Sequence, residues 1–499
     1  MEDYRHGHGE WTLHRIQRHA FLIGLLSTAW FFLKTGGKPS RASYPCQIVA
    51  RANSEVWLAT YVIPLVTFLP RRTSVLLSGK RAYIIASALI VASAVATIGW
   101  WYFRAPSQEP QIMAETDIGV TLTGMSASLS PASDIFVVSG TTGNDGGVDR
   151  LIDVMGRHGL PFYESPSTGG NKGQDGLIAA DDVVLIKVNS QWDERGGTNT
   201  DLVKALIQAV LDHPDGFEGE IVVADNGQAQ YGSTGRGGSL DYARNNAEDT
   251  SQSILGVVDS FSGSHRVSIY LWDTITTRRV EEYSEGDMED GYVVNATANL
   301  RTGIMVSYPK FKTRYGTHIS FKEGVWDPES SAYDDGRLKV INVPVLKTHG
   351  GYGVTACVKH YMGVPSDKLT AGLGSRTHNT IGRGGMGTLM AETRYPVLNI
   401  LDAIWVNANP RSGPSTPYGR ATRVNVVAAS TDSAALDYWA AKHILLEAAP
   451  EGADKTTVDP DYDEPGFFGR WLRLSLQEIV RAGLQATVDE DQMNVYISR

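Results

Sequence analysis

Residues 340–363, VINVPVLKTHGGYGVTACVKHYMG, constrain the fold more than any other segment. The stretch from Val340 to Leu346 is mostly apolar and reads as a buried strand. Lys347-Thr348-His349 closes it. A loop with Gly350, Gly351 and Gly353 follows, then a helix-like stretch with Lys359 and His360. In open α/β sheets, ligands bind beyond the carboxyl ends of the strands. Glycines there let backbone come close to a ligand. Lys347, His349 and Lys359 are therefore candidates for chemistry, whereas His360 is expected on a different face.

The same pattern recurs along the chain. Strands are expected at 134–139, 182–188, 220–224, 267–271, 340–346, 396–404 and 424–429. Helices are expected at 148–158, 200–212, 433–446 and 471–482, with Thr198 or Thr200 capping the second. Residues 274–335 read as irregular. The alternation predicts an α/β fold, a mainly parallel sheet with flanking helices, over 134–499. Several strands end in polar residues: Lys187 and Asn189, Asp225 and Asn226, and Asp432. Together they suggest one cleft at the sheet edge, although such residues also close strands as turn formers. Asp402 is placed at a strand end, and Asp432 also suits the cap of the helix after it. The glycine-rich stretches at 141–147 and 382–387 match neither a dinucleotide-binding nor a Walker motif. The first reads as a turn. The second reads as a place of close backbone approach.

Before this domain the expectation is an N-terminal membrane anchor over 1–104 and a linker at 105–133. Residues 82–103 carry no charge and are long enough to cross a bilayer. Arg71, Arg72, Lys80 and Arg81 precede them, and Trp100, Trp101 and Tyr102 close them. The positive-inside rule then puts the large domain outside the cytoplasm. Shorter apolar runs at 21–33 and 56–69 suit interfacial helices or a re-entrant pair. The net charge of -10 argues against a nucleic-acid partner. The only cysteines are Cys46 and Cys357, so no iron–sulfur cluster is expected.

The candidate catalytic set is Lys347, His349, Lys359 and His378, with Lys187, Asn189, Asp225 and Asp432 around it. Lysines there suit an anionic ligand, or acid–base work when buried. His349 and His378 are candidate ligands for a divalent transition metal, or proton shuttles.

The segments VLIKVN, IVVADN, INVPVLKTHGGYGVTACVKHYMGV, LNILDAI and AASTDSAALDYWAAK, in this order, resemble the DUF362 family of uncharacterised domains. The pattern Pro344-x-x-Lys347-x-His349 is the most specific of these likenesses. GGKPSRASYPCQ, near the N-terminus, resembles a segment of membrane-bound members. Many members carry ferredoxin-like cysteine motifs, which this chain lacks. The order His349, Lys359, His378 also resembles the nickel-pincer lactate racemase family. That likeness implies a lysine tethering a nucleotide-derived cofactor and histidines for metal binding or proton transfer. The expectation is a membrane-anchored extracytoplasmic protein. It is either an enzyme of unknown substrate with a Lys/His site or a non-catalytic surface module for an anionic ligand or a protein partner.

Overall fold

Four strands of the central sheet open the domain: β1 (Ser133–Ser139), β2 (Val183–Lys187), β3 (Glu220–Asp225) and β4 (Val267–Leu271). Helices α1 (Gly147–Arg157), α2 (Thr200–Leu211) and α3 (Ile254–Ser262) connect them. In β1, Phe136 and Val138 enter one core layer while Ile135 and Val137 enter the other. A strand covered on both faces needs apolar residues at every position, which is the mark of a parallel sheet between layers. Helix α2 is capped by neither threonine expected to do so. The Asn199 side chain between them accepts from Asp201 N (3.0 Å) and Leu202 N (3.1 Å).

The computed structural model describes Thr28 and residues 133–227, 238–241, 243–373 and 376–499. Apart from Thr28, the apolar runs at 21–33, 56–69 and 82–103 lie outside the described residues, as do Cys46 and the linker up to 132. Among the described residues no helix is long and apolar enough to cross a membrane.

The stretch expected to be irregular folds as a second, antiparallel sheet of five strands. These are β5 (Gly291–Val294), β6 (Ser307–Lys312), β7 (His318–Ser320), β8 (Gly324–Asp327) and β9 (Ala332–Asp334). Their shortness and charged turns hide the period-two signal that longer strands show.

The central sheet resumes with β10 (Leu338–Asn342), β11 (Val345–His349) and β12 (Gly353–Thr355). Then come α4 (Cys357–His360), α5 (Asp367–Gly372), α6 (Gly385–Glu392), β13 (Leu398–Asn407), β14 (Thr422–Ser430), α7 (Ser433–Ala440), α8 (Phe468–Arg481) and β15 (Met493–Ser498). The order is β15-β1-β14-β13-β10-β2-β3-β4, with β11 between β13 and β12. Most neighbours are parallel; β14 runs antiparallel to both β1 and β13, and β12 antiparallel to β11. The fold is mixed α/β with a mainly parallel sheet.

The strand expected at 340–346 is two strands. Pro344 has no N–H to donate to a ladder. At the break, Val343 N donates to the Lys187 carbonyl (2.8 Å) and the Pro344 carbonyl accepts from Asp402 N (2.9 Å). Both halves then pair with β13, at Asn342↔Asn399 and at Lys347↔Asn407. Lys347 thus sits within a strand rather than after one. Asp402 lies in the middle of β13 rather than at its end, because that strand runs on to Asn407.

Candidate lysine–histidine site

The β11–β12 hairpin brings the main candidates together. Its tight turn depends on Gly353, which has φ +78°, and a Cβ there would lie 1.9 Å from the Thr457 carbonyl. On β11, side chains alternate between faces. Lys347 and His349 share one face, while Leu346 enters the core on the other. Helix α4 follows at once and carries Lys359 and His360. It is short, and a side chain from α7 anchors its start: Cys357 N and Val358 N donate to the Asp437 carboxylate at 2.6 and 3.0 Å. Burial pushes Asp437 up to about 7, against the pull of those bonds.

Lys347 is completely buried, and Lys359 is 6% exposed. The Lys347 ammonium donates to the Gly196 carbonyl and lies 5.9 Å from the Trp192 ring centre. The Lys359 ammonium lies 5.2 Å from the centre of the Tyr352 ring. Neither lysine forms an ion pair among the described residues. Burial, and then repulsion from Lys359, lowers Lys347 to about 7; burial lowers Lys359 to about 8.

Half-buried rings lie next to the lysines. His349 lies 5.0 Å from Tyr352 between ring centres, and Tyr352 lies 6.3 Å from His378. Gly351 N donates to Nδ1 of His349 (3.1 Å), which leaves the ring proton on Nε2. Burial, followed by the charges of Lys359, His378 and Lys347, keeps His349 well below the usual histidine range, so it is neutral. His378 has the opposite arrangement. Its Nδ1 faces Asp367 Oδ2 at 2.5 Å, so Nε2 is left to accept a proton. Asp367 also accepts from Arg376 Nε (3.1 Å) and Thr377 N (2.9 Å). Burial raises this carboxyl, but the bonds and charges of His378 and Arg376 outweigh it and hold Asp367 at about 2.

Lys187 and Asp225 form a separate, closed centre. The Lys187 ammonium meets Asp225 Oδ1 at 2.9 Å, His360 Nε2 at 3.1 Å and the Val188 carbonyl at 3.5 Å. That occupies all three N–H groups. His360 Nδ1 meets Asn342 Oδ1 at 2.7 Å, and Asp225 Oδ2 accepts from Ser190 N (2.8 Å) and Oγ (3.1 Å). A Cβ on Gly363 would lie 2.4 Å from Asp225 Oδ1, so only glycine lets the chain pass over this pair. The two centres feel each other: Asp225 acts on Lys347, while Lys187, Lys347 and Lys359 all act on His360.

The remaining candidates serve the frame. Asn189 pairs through its backbone with Thr198, which closes the β2–α2 loop. Asp432 caps α7 through Ala434 N and Ala435 N, and also accepts from Ser133 Oγ (2.6 Å) and Thr487 N (2.7 Å). Its oxygens are thus committed to joining α7, β1 and the C-terminal segment. Among the described residues, no group of three or more histidine, cysteine, aspartate or glutamate side chains is placed to hold a metal ion.

Sequence reasoning missed Tyr352, Asp367 and the partnership of His360. The last was within reach: neighbours on a helix point about 100° apart. With Lys359 turned to the Tyr352 ring, His360 faces the other way, onto Lys187. Asp367 follows Ser366 at the start of α5 and reads as an ordinary first-turn acid.

No curated protein and no solved structure matches this chain. The likeness to the nickel-pincer racemases therefore rests on residue order alone. A family model does match, over residues 338–442, and that span holds Lys347, His349, Lys359, His378, Asp367 and Asp437. Residues 338–442 thus match the model of the DUF362 family, described as a domain of unknown function.

Proposed function

We propose that this domain is an enzyme that holds a small anionic substrate on Lys347 and Lys359 and exchanges a proton with it through His378. One observation carries the reading. Two buried amino groups have no ion-pair partner among the described residues, and one of them shares the Tyr352 ring with a histidine that a carboxylate orients. Amines lowered to about 7 and 8 are suited to acid–base work near neutral pH, and Asp367 fixes the orientation of the His378 ring beside them. His349 offers its Nε2–H to the same space as a neutral donor. In the metal-dependent form of this reading, His378 Nε2 is the natural ligand, with Asp367 as the orienting carboxylate behind it. His349 joins only by giving up its Nε2 proton.

A non-catalytic anion-binding module is the alternative. What favours it is that the Lys347 ammonium already has a carbonyl partner in Gly196. Calorimetry with sulfate as probe tests the shared premise. Binding should be lost in Lys347→Met and Lys359→Met and retained in His378→Ala. Binding that survives both lysine changes overturns the reading.

We also propose that residues 82–103 anchor the chain, with the large domain outside the cytoplasm. The basic residues before this run and the aromatic residues at its end support that orientation. Protease added to cells without an outer barrier should then degrade the domain; protection until lysis refutes it.

A further inference from the structure

The cross-strand pairing of β11 with β12 sets Thr355 directly opposite Lys347. Residues opposite each other in an antiparallel pair point to the same face, with Cβ atoms roughly 4.5–5.5 Å apart. The Thr355 side chain is therefore a neighbour of the Lys347 stem. Thr355 is 5% exposed, and its hydroxyl has no hydrogen-bond partner among the described residues. Buried hydroxyls without partners are uncommon, because leaving one unmade costs more than a made bond returns.

From the placement of Lys347, Lys359, His349 and Thr355 we infer that the anion held here is a phosphoryl group on a small molecule. This rests on the anion-binding reading above and narrows it. Charge is the first argument. Two ammonium groups lie in the site without ion-pair partners, and a phosphate monoester carries about −1.5 to −2 at neutral pH. A carboxylate would neutralise only one of them. Count is the second. The two ammoniums, the His349 Nε2–H and the Thr355 hydroxyl are four separate donors. Three terminal phosphoryl oxygens can serve them from several directions, while the two oxygens of a carboxylate lie in one plane. The third argument is residue type: lysine binds phosphate as a compact point charge, whereas planar carboxylates favour the fork of arginine. Within this cluster the cations are lysines, and Arg376 is engaged with Asp367.

The test is calorimetry on the full chain with inorganic phosphate, glycerol 3-phosphate and acetate at one ionic strength. Both phosphates should bind at least tenfold more tightly than acetate. Thr355→Val, close in shape, should weaken phosphate binding roughly fivefold, in line with one hydrogen bond, and leave acetate unchanged. Phosphatidate vesicles against phosphatidylcholine vesicles tell a lipid headgroup from a soluble monoester; either source supports the phosphoryl assignment. Acetate binding as tightly as phosphate, or Thr355→Val weakening neither, overturns the phosphoryl inference while the anion site stands. Binding of no anion at all overturns both.

Discussion

The domain holds two lysine centres side by side, and they solve the burial of a charge in opposite ways. Lys187 has a carboxylate, an imidazole and a carbonyl for its three N–H groups. Lys347 and Lys359 have one carbonyl and two aromatic rings between them. A buried charge that is fully paired is part of the frame, and removing one partner exposes the cost of the other. A buried amine without an acid opposite it is a standing instability that a ligand can relieve. Burial alone therefore does not identify a functional lysine; what the amine lacks does.

The sharpest way to break this contrast is Lys187→Met. It leaves Asp225 buried without its cation, and should cost about 3–5 kcal/mol in denaturant unfolding. A cost under about 1 kcal/mol would mean that the closed centre is not structural. Next in size is Asp437→Ala, which takes the acceptor from two N–H groups at the start of α4. A loss of about 2 kcal/mol is expected, with weaker anion binding because Lys359 rides on that helix.

The third prediction uses pH. Lys347 and Lys359 lose their protons near 7 and 8, so sulfate affinity should fall by at least tenfold, or ~1.4 kcal/mol and more, between pH 6 and pH 9. Calorimetry across that range checks it, and a flat profile would dissolve the contrast between the centres. The smallest effect is the most telling. Lys347→Met should stabilise the fold by about 1 kcal/mol at pH 6. The wild-type amine has a depressed pKa, so the unfolded chain binds the extra proton between about pH 7 and pH 10.5. Wild-type stability therefore rises with pH through that window, and the advantage of the variant should shrink by pH 9. An advantage that grows with pH would show the sign to be wrong.

How much of this was legible in the sequence depended on the range of the interactions. The alternation of β2, α2 and β3 is written in local periodicity, whereas the seat of Lys347 and His349 within a strand of their own is not. The cap at Asp432 is local. Pro344 is a local sign that the 340–346 run breaks, but the apolar residues on both sides of it mask the break. The antiparallel sheet of β5–β9 was not legible, since strands of three to six residues give too few alternations to register. The site was legible in residue type but not in partnership. That Lys187 answers His360, across 173 residues, or that Asp437 anchors the helix of Lys359, is settled by tertiary packing and leaves no periodic trace.

Strand β13 has a mechanical meaning. It pairs with β10 beside the closed centre and with β11 beside the open one, so a single stretch of backbone carries both. Between those two contacts its pairing is irregular, with one register shift against β14 between Ala403 and Trp405 and another against β11 between Val345 and Lys347, so the offset between the two centres is set by a bend in one strand.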